Sequence, residues 1–211
     1  MMKYRLCFLS SSMFLLMLLS CIAFSSDVVT ILDENVDDVI KYLTNGQGKP
    51  AKSTNDKFKG NEALKIGVEG GDSQNFNPNV PDWKFEIVEK PSTSNEFRYV
   101  TFAWRKDGGE GIQLQLHGNP DTWGHRYHGG ANVRNWNPSI QVSKKIPAKW
   151  EVHTRDLFKD WKKFQLTGIA FSASDGKAGY WDHVYLHQGE SLVSVDSKGK
   201  ITAIWADLKR H

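Results

Sequence analysis

Residues 97–117 read FRYVTFAWRKDGGEGIQLQLH, and the fold turns on how this stretch alternates. Ile112, Leu114 and Leu116 alternate with Gln113, Gln115 and His117, the period-two pattern of a strand with one buried and one wet face. Phe97, Tyr99, Thr101 and Ala103 alternate with Arg98, Val100, Phe102 and Trp104. Both faces of that run are therefore predicted to be buried, and the strand to be central. Asp107-Gly108-Gly109 between the two runs marks a turn.

Working outward, similar runs of β-branched or aromatic residues recur at Val28–Leu32, Ala63–Glu69, Trp83–Glu89, Ser139–Ser143, Lys149–Thr154, Leu166–Ala173 and Tyr180–His187, separated by Gly, Asn, Pro and Asp. Strands at this spacing, with no alternation of strand and helix, predict an all-β fold: a two-sheet antiparallel β-sandwich of jelly-roll type. Val36, Val39, Ile40 and Leu43 follow i, i+3, i+4, i+7 and predict one short N-terminal helix within residues 33–45. Gly118–Asn137 has no such pattern and reads as a long loop, which in a compact domain carries function or flexibility. Its aromatics argue for function. Residues 27–190 make the sandwich, and 191–211 a C-terminal tail packed on it.

The chain has 211 residues, with 27 Lys+Arg against 24 Asp+Glu. Residues 1–25 form a tripartite leader: Lys3 and Arg5, an apolar stretch centred on Leu15–Leu19, then Ala23-Phe24-Ser25 as a small-x-small cleavage site. Removing Lys3 and Arg5 leaves 25 basic against 24 acidic residues. That balance argues against a polyanion binder, nucleic acid included, which calls for a clustered positive face. The apolar stretch is shorter than the roughly 20 residues of a transmembrane helix, so no transmembrane segment is predicted. The expectation is export to the periplasm or the extracellular space. Both cysteines, Cys7 and Cys21, lie in or beside the leader. Cleavage after Ser25 would leave no thiol chemistry, whereas Leu18-Leu19-Ser20-Cys21 resembles a lipoprotein box with Cys21 as lipid anchor.

Candidate chemistry concentrates in the long loop. Sugars present flat C–H faces rimmed by hydroxyls, and call for aromatic platforms with planar polar partners. Trp123, Tyr127 and Trp136 are candidate platforms; His128, Asn132, Arg134 and Asn137 are the candidate rim. The alternative is that these aromatics fold inward and fasten the loop. His125 and His128 form His-x-x-His, too few ligands for a zinc site without named partners. Glu86 and Glu89 point to opposite strand faces, and Asp107 and Glu110 bracket a turn, so no paired carboxylates of a glycosidase emerge. Nucleophile elbows and phosphate loops are missing from the sequence. Arg155-Asp156 with Lys159-Asp160 reads as a surface turn with weak ion pairs. No catalytic motif stands out, and a non-enzymatic role is expected.

Asp56 to Gly60 running into Ala63-Leu64-Lys65-Ile66, and the closing Trp181-Asp182-His183-Val184-Tyr185-Leu186, resemble the two ends of a galactose-binding-like jelly roll. That superfamily includes many carbohydrate-binding modules. Trp104–Gly109, Ile112–Leu116 and Trp150–Ala170 are similar to segments of such domains in exported proteins of environmental, planctomycete-like bacteria. The resemblance spans roughly residues 50–190 and implies fold more strongly than ligand. It also implies a structural calcium at Asp182 with Asp56, since a hard cation takes six to eight oxygens. The alternative is that Asp182 bonds a neighbouring turn. The expected function is a non-catalytic module for a carbohydrate or envelope polysaccharide. The alternatives are a structural or protein-interaction domain with an envelope protein as partner and, third, a small glycoside hydrolase.

Overall fold

Strand alternation resolves into two six-stranded sheets in the computed structural model, which describes residues 28–67, 83–173 and 175–192. In chain order the elements are β1 (Val28–Leu32), α1 (Val36–Leu43), β2 (Ala51–Ser53), β3 (Ala63–Ile66), β4 (Phe85–Ile87), β5 (Glu96–Phe97), β6 (Tyr99–Lys106), β7 (Gly111–Asn119), β8 (Thr122–Gly130), β9 (Ile140–Ser143), β10 (Glu151–Asp156), α2 (Leu157–Trp161), β11 (Phe164–Ser172) and β12 (Gly179–His187). The first sheet runs β10-β6-β12-β3-β2, with β1 also paired to β12. The second runs β5-β4-β11-β7-β8-β9 and curls into a half-barrel. The leader (1–25), Cys7, Cys21 and residues 193–211 of the tail lie outside the described residues.

The first sheet is antiparallel throughout. The second is not: β4 pairs parallel with β5, and β8 with β9. This corrects the expectation of an all-antiparallel sandwich. β6 lies inside its sheet between β10 and β12, and its residues are buried on both faces apart from the half-buried Tyr99 and Arg105. The run from Phe97 breaks at Arg98, whose guanidinium forks onto Asp156.

The largest correction concerns Gly118–Asn137. Thr122–Gly130 is a full strand, forming a hairpin with β7 in the register Gln113↔His128, Leu114↔Tyr127, Gln115↔Arg126 and Leu116↔His125. Three glycines and a polar core residue, His125, conceal its alternation. Gly130 has φ +72, and a side chain there would run into the Glu110 carbonyl, so the chain can turn away from the sheet only with glycine at this point.

Ile112, Leu114 and Leu116 of β7, Phe171 of β11, Phe102 and Trp104 of β6 and Trp181 of β12 meet between the sheets. α1 closes one end with Val36, Val39 and Leu43. Its first turn is held by Glu62, whose carboxylate accepts from the Val36 amide at 2.9 Å, because Asn35 spends its side chain on Asp33 and Ile31. α2 was expected as a surface turn. Asp156 caps it by accepting from the Lys159 amide, and Arg155 forks onto Asp160.

Candidate functional site

Alternation along the β7–β8 hairpin sorts its side chains between two faces. Leu114, Leu116, His125 and Tyr127 point to the core; Gln113, Gln115, Arg126 and His128 point away from it. Because β9 runs parallel to β8, the chain must travel back from Gly130 to the level of Tyr127 before β9 can pair. The return segment, residues 131–139, crosses this outer face.

Side-chain contacts from the hairpin hold the return segment down, and a bond within the segment braces it. Gln113 Nε2 donates to Asn132 Oδ1 at 2.7 Å, and Asn132 Nδ2 donates to the Trp136 carbonyl at 2.8 Å. His128 Nδ1 bonds the Ser139 hydroxyl at 2.7 Å. The Arg126 guanidinium lies 5.5 Å from the Trp136 ring centroid, a cation–π distance. Arg126 also donates through Nε to Gln115 Oε1 at 3.0 Å and, more weakly, to the Pro138 carbonyl at 3.4 Å.

Gln113 and Gln115 are buried, at 2% and 0% exposure, although the sequence read as a wet face. Each uses only half of its carboxamide. Gln113 Oε1 and Gln115 Nε2 have no hydrogen-bond partner. Flipping the amides gives no relief, because each engaged atom is fixed by the chemistry of its partner: Arg126 can only donate, and Asn132 Nδ2 is committed to Trp136. One buried acceptor on Gln113 and one buried donor on Gln115 thus lie on the same face of β7, two residues apart, and Gln115 also holds the half-buried Arg126 guanidinium. Burial holds the Arg126, His117 and His128 side chains below their ordinary pKa values, so the imidazoles are neutral at pH 7.

The candidate residues of the long loop divide. His128, Asn132 and Trp136 come together on this face. Arg134 and Asn137 are exposed on the return segment, and Asn137 bonds Asn135. Trp123 stands further along β8, edge-on to His117 at 5.0 Å. Tyr127 is no platform: it is fully buried, stacks on Phe102, packs at a tilt against Trp161, and donates its phenol to Asp160 at 2.8 Å. Its odd position, shared with His125, turns it inward. The same parity separates His125 from His128, so His-x-x-His cannot converge on one metal.

Sequence reasoning missed Gln113, Gln115 and Arg126. The available signal was a lone arginine between two histidines, opposite paired glutamines.

The calcium expectation fails on geometry. Asp182 Oδ2 accepts from the Phe58 and Lys59 amides at 2.9 and 3.1 Å, and its Oδ1 from the His183 amide at 2.7 Å. Asp56 is forked by Arg105. N–H groups and a guanidinium occupy the positions where a cation would sit, so Asp56 and Asp182 do not fit calcium. The alternative reading, Asp182 bonded to a neighbouring turn, describes what is seen. Among the described residues no group of three or more His, Cys, Asp or Glu gathers for any metal.

No protein-family profile and no curated protein matches the chain.

Proposed function

We propose that the chain is an exported, non-catalytic module of jelly-roll type that binds a glycan on the outer face of the β7–β8 hairpin. The observation that carries this reading is the unsatisfied pair, Gln113 Oε1 and Gln115 Nε2, beside Arg126 and Trp136. Unpaired buried polar atoms cost about 1–3 kcal/mol each. A ligand reaches these atoms only where the return segment lifts off them; two of its hydroxyls then relieve both, one donating to the glutamine oxygen and the other accepting from the amide nitrogen. The indole of Trp136 supplies the apolar surface that a pyranose ring stacks on. Export rests on the leader pattern of residues 1–25.

The test is a glycan-array screen of the purified chain, followed by calorimetry with the strongest hit. Trp136→Ala and Gln115→Leu should each weaken binding about tenfold or more, the scale of one lost hydrogen bond or stacking contact. Their thermal midpoints should stay near that of the parent. A folded chain that binds no glycan overturns the reading, as does undiminished binding in both variants, which would mean that the glutamine pair is bridged by water alone.

A further inference from the structure

Resting on that reading, we infer that the glycan is acidic: the outer face of the second sheet takes a sugar carrying a carboxylate or sulfate, with Arg126 as its anion partner. The charge pattern of the molecule leads there. Arg98, Arg105 and Arg155 are each partly buried, and each forks onto a carboxylate of its own: Asp156, Asp56 and Asp160. Arg126 is as deeply placed, yet among the described residues no carboxylate reaches it. Its partners are an amide oxygen, a carbonyl and an indole face. Removing a guanidinium from water without a counter-charge is costly, and an anionic ligand returns what is lost.

Among the described residues, no acid on β7, β8 or the return segment supplies that anion. From Thr122 to Lys149 the chain carries Arg126, Arg134, Lys144, Lys145 and Lys149 and not one Asp or Glu, although the whole chain is close to balanced. Strand alternation puts Glu86 and Glu96 on the same face of the sheet, but on β4 and β5, which β11 and β7 separate from β8. Both are engaged there: Glu86 accepts from Gln165, and Glu96 from Ser92 and Thr93. The two imidazoles nearby, His117 and His128, bond Thr167 and Ser139 hydroxyls and bring no negative charge. Among the described residues Arg126 Nη2 has no hydrogen-bond partner and Nη1 has only the weak bond to Pro138, so the edge they share can take a carboxylate or sulfate in two-point geometry. The half-satisfied glutamines beneath the return segment offer sugar hydroxyls one acceptor and one donor. Both features together describe an acidic sugar better than a neutral sugar or a bare anion.

The experiment pairs each of a panel of uronate oligosaccharides with its carboxyl-reduced form, and each of a panel of sulfated oligosaccharides with its desulfated form, using the full purified chain and titration calorimetry. The expected result is an acidic member bound about tenfold or more tightly than its neutral counterpart. The preference should shrink as salt rises from about 0.05 to about 0.5 M. Arg126→Gln should abolish the preference, and Arg126→Lys should restore part of it, with circular dichroism confirming the fold of both. The uronate and sulfate arms separate the two anion sources. Equal affinity for acidic and neutral partners, or a preference that survives Arg126→Gln, overturns the inference and leaves glycan binding standing. Absence of binding to every glycan, acidic or neutral, overturns the underlying reading as well.

Discussion

The outer faces of the two sheets are both rich in polar groups, yet they treat those groups in opposite ways. On the first sheet, the Thr101 hydroxyl bonds Thr154 at 2.7 Å and His187 at 2.9 Å, and His187 bonds the Gly189 carbonyl through its other nitrogen. Arg105 is forked by Asp56 and Tyr180 donates to Asp107. Asp182 gathers three backbone amides and so straps the Phe58–Lys59 segment across β12. Among the described residues, the outer face of the second sheet leaves a guanidinium without a carboxylate and two carboxamides half used. Polar groups that close their bonds among themselves rigidify a fold. Groups held open at an energetic cost await something else. The first sheet is not free of tension: His183 sits at φ +55 in the bulge of β12, with Nδ1 buried and unpartnered. That strain lies where the backbone bends to present its amide to Asp182.

The contrast predicts that substitutions on the first sheet cost stability and leave binding alone, while those on the second do the reverse. The largest effect is expected for Asp182→Ala. It strips the acceptor from three amides, and should lower unfolding free energy by about 3 kcal/mol or more in urea titrations, with glycan affinity unchanged. A loss of affinity in this variant would break the division between the faces.

Next in size is a pH effect. Burial pushes the Asp182 carboxyl up to about 6 despite its three amide donors. A raised carboxyl binds its proton more tightly in the folded state than in the unfolded chain, whose ordinary value is near 3.9. Its contribution to stability is therefore largest below about pH 4, and declines as pH rises to about 6. Asp182→Asn should remove this slope, and the difference between the two pH profiles should approach about 2–3 kcal/mol. A parallel pair of profiles would show that the buried carboxylate ionises freely.

The smallest and sharpest comparison sets Thr101→Val against Gln113→Leu. The first should cost about 1–2 kcal/mol, because Thr154 and His187 both lose a partner. The second removes an unpaired oxygen along with one bond to the half-buried Asn132, and should shift stability by less than about 0.5 kcal/mol while weakening glycan binding. Equal stability losses would place both faces in the same structural class.

Much of this architecture was legible in the sequence where alternation is clean. Val28–Leu32 forms as read, and Ile112, Leu114 and Leu116 do face the core. β8 was hidden because its inward residues include a histidine stacked on Phe164 at 4.0 Å, a polar side chain doing apolar duty, and because its glycines resemble loop punctuation. The parallel pairings were out of reach for a different reason: a strand's own pattern tells which face is buried but not which way its neighbour runs. The same limit concealed the return segment, and with it the burial of Gln113 and Gln115. Trp136, Asn132 and His128 stand out in the sequence as aromatic and polar residues suited to sugar chemistry, and the structure brings them together on one face. Tyr127 was misplaced because parity only becomes readable once the strand is recognised.

The position of β12 has a consequence for synthesis. It is the last strand of the described chain, yet it sits in the middle of the first sheet, with β6 on one side and β1 and β3 on the other. Until residues 179–187 emerge, the earlier strands of that sheet have no common neighbour to pair with, and their edges stay open. A nascent chain halted before β12 therefore holds an unfinished sheet. Folding completes when the final strand is delivered, and Val28 comes to rest opposite His187, so the two ends of the sandwich leave from a single point.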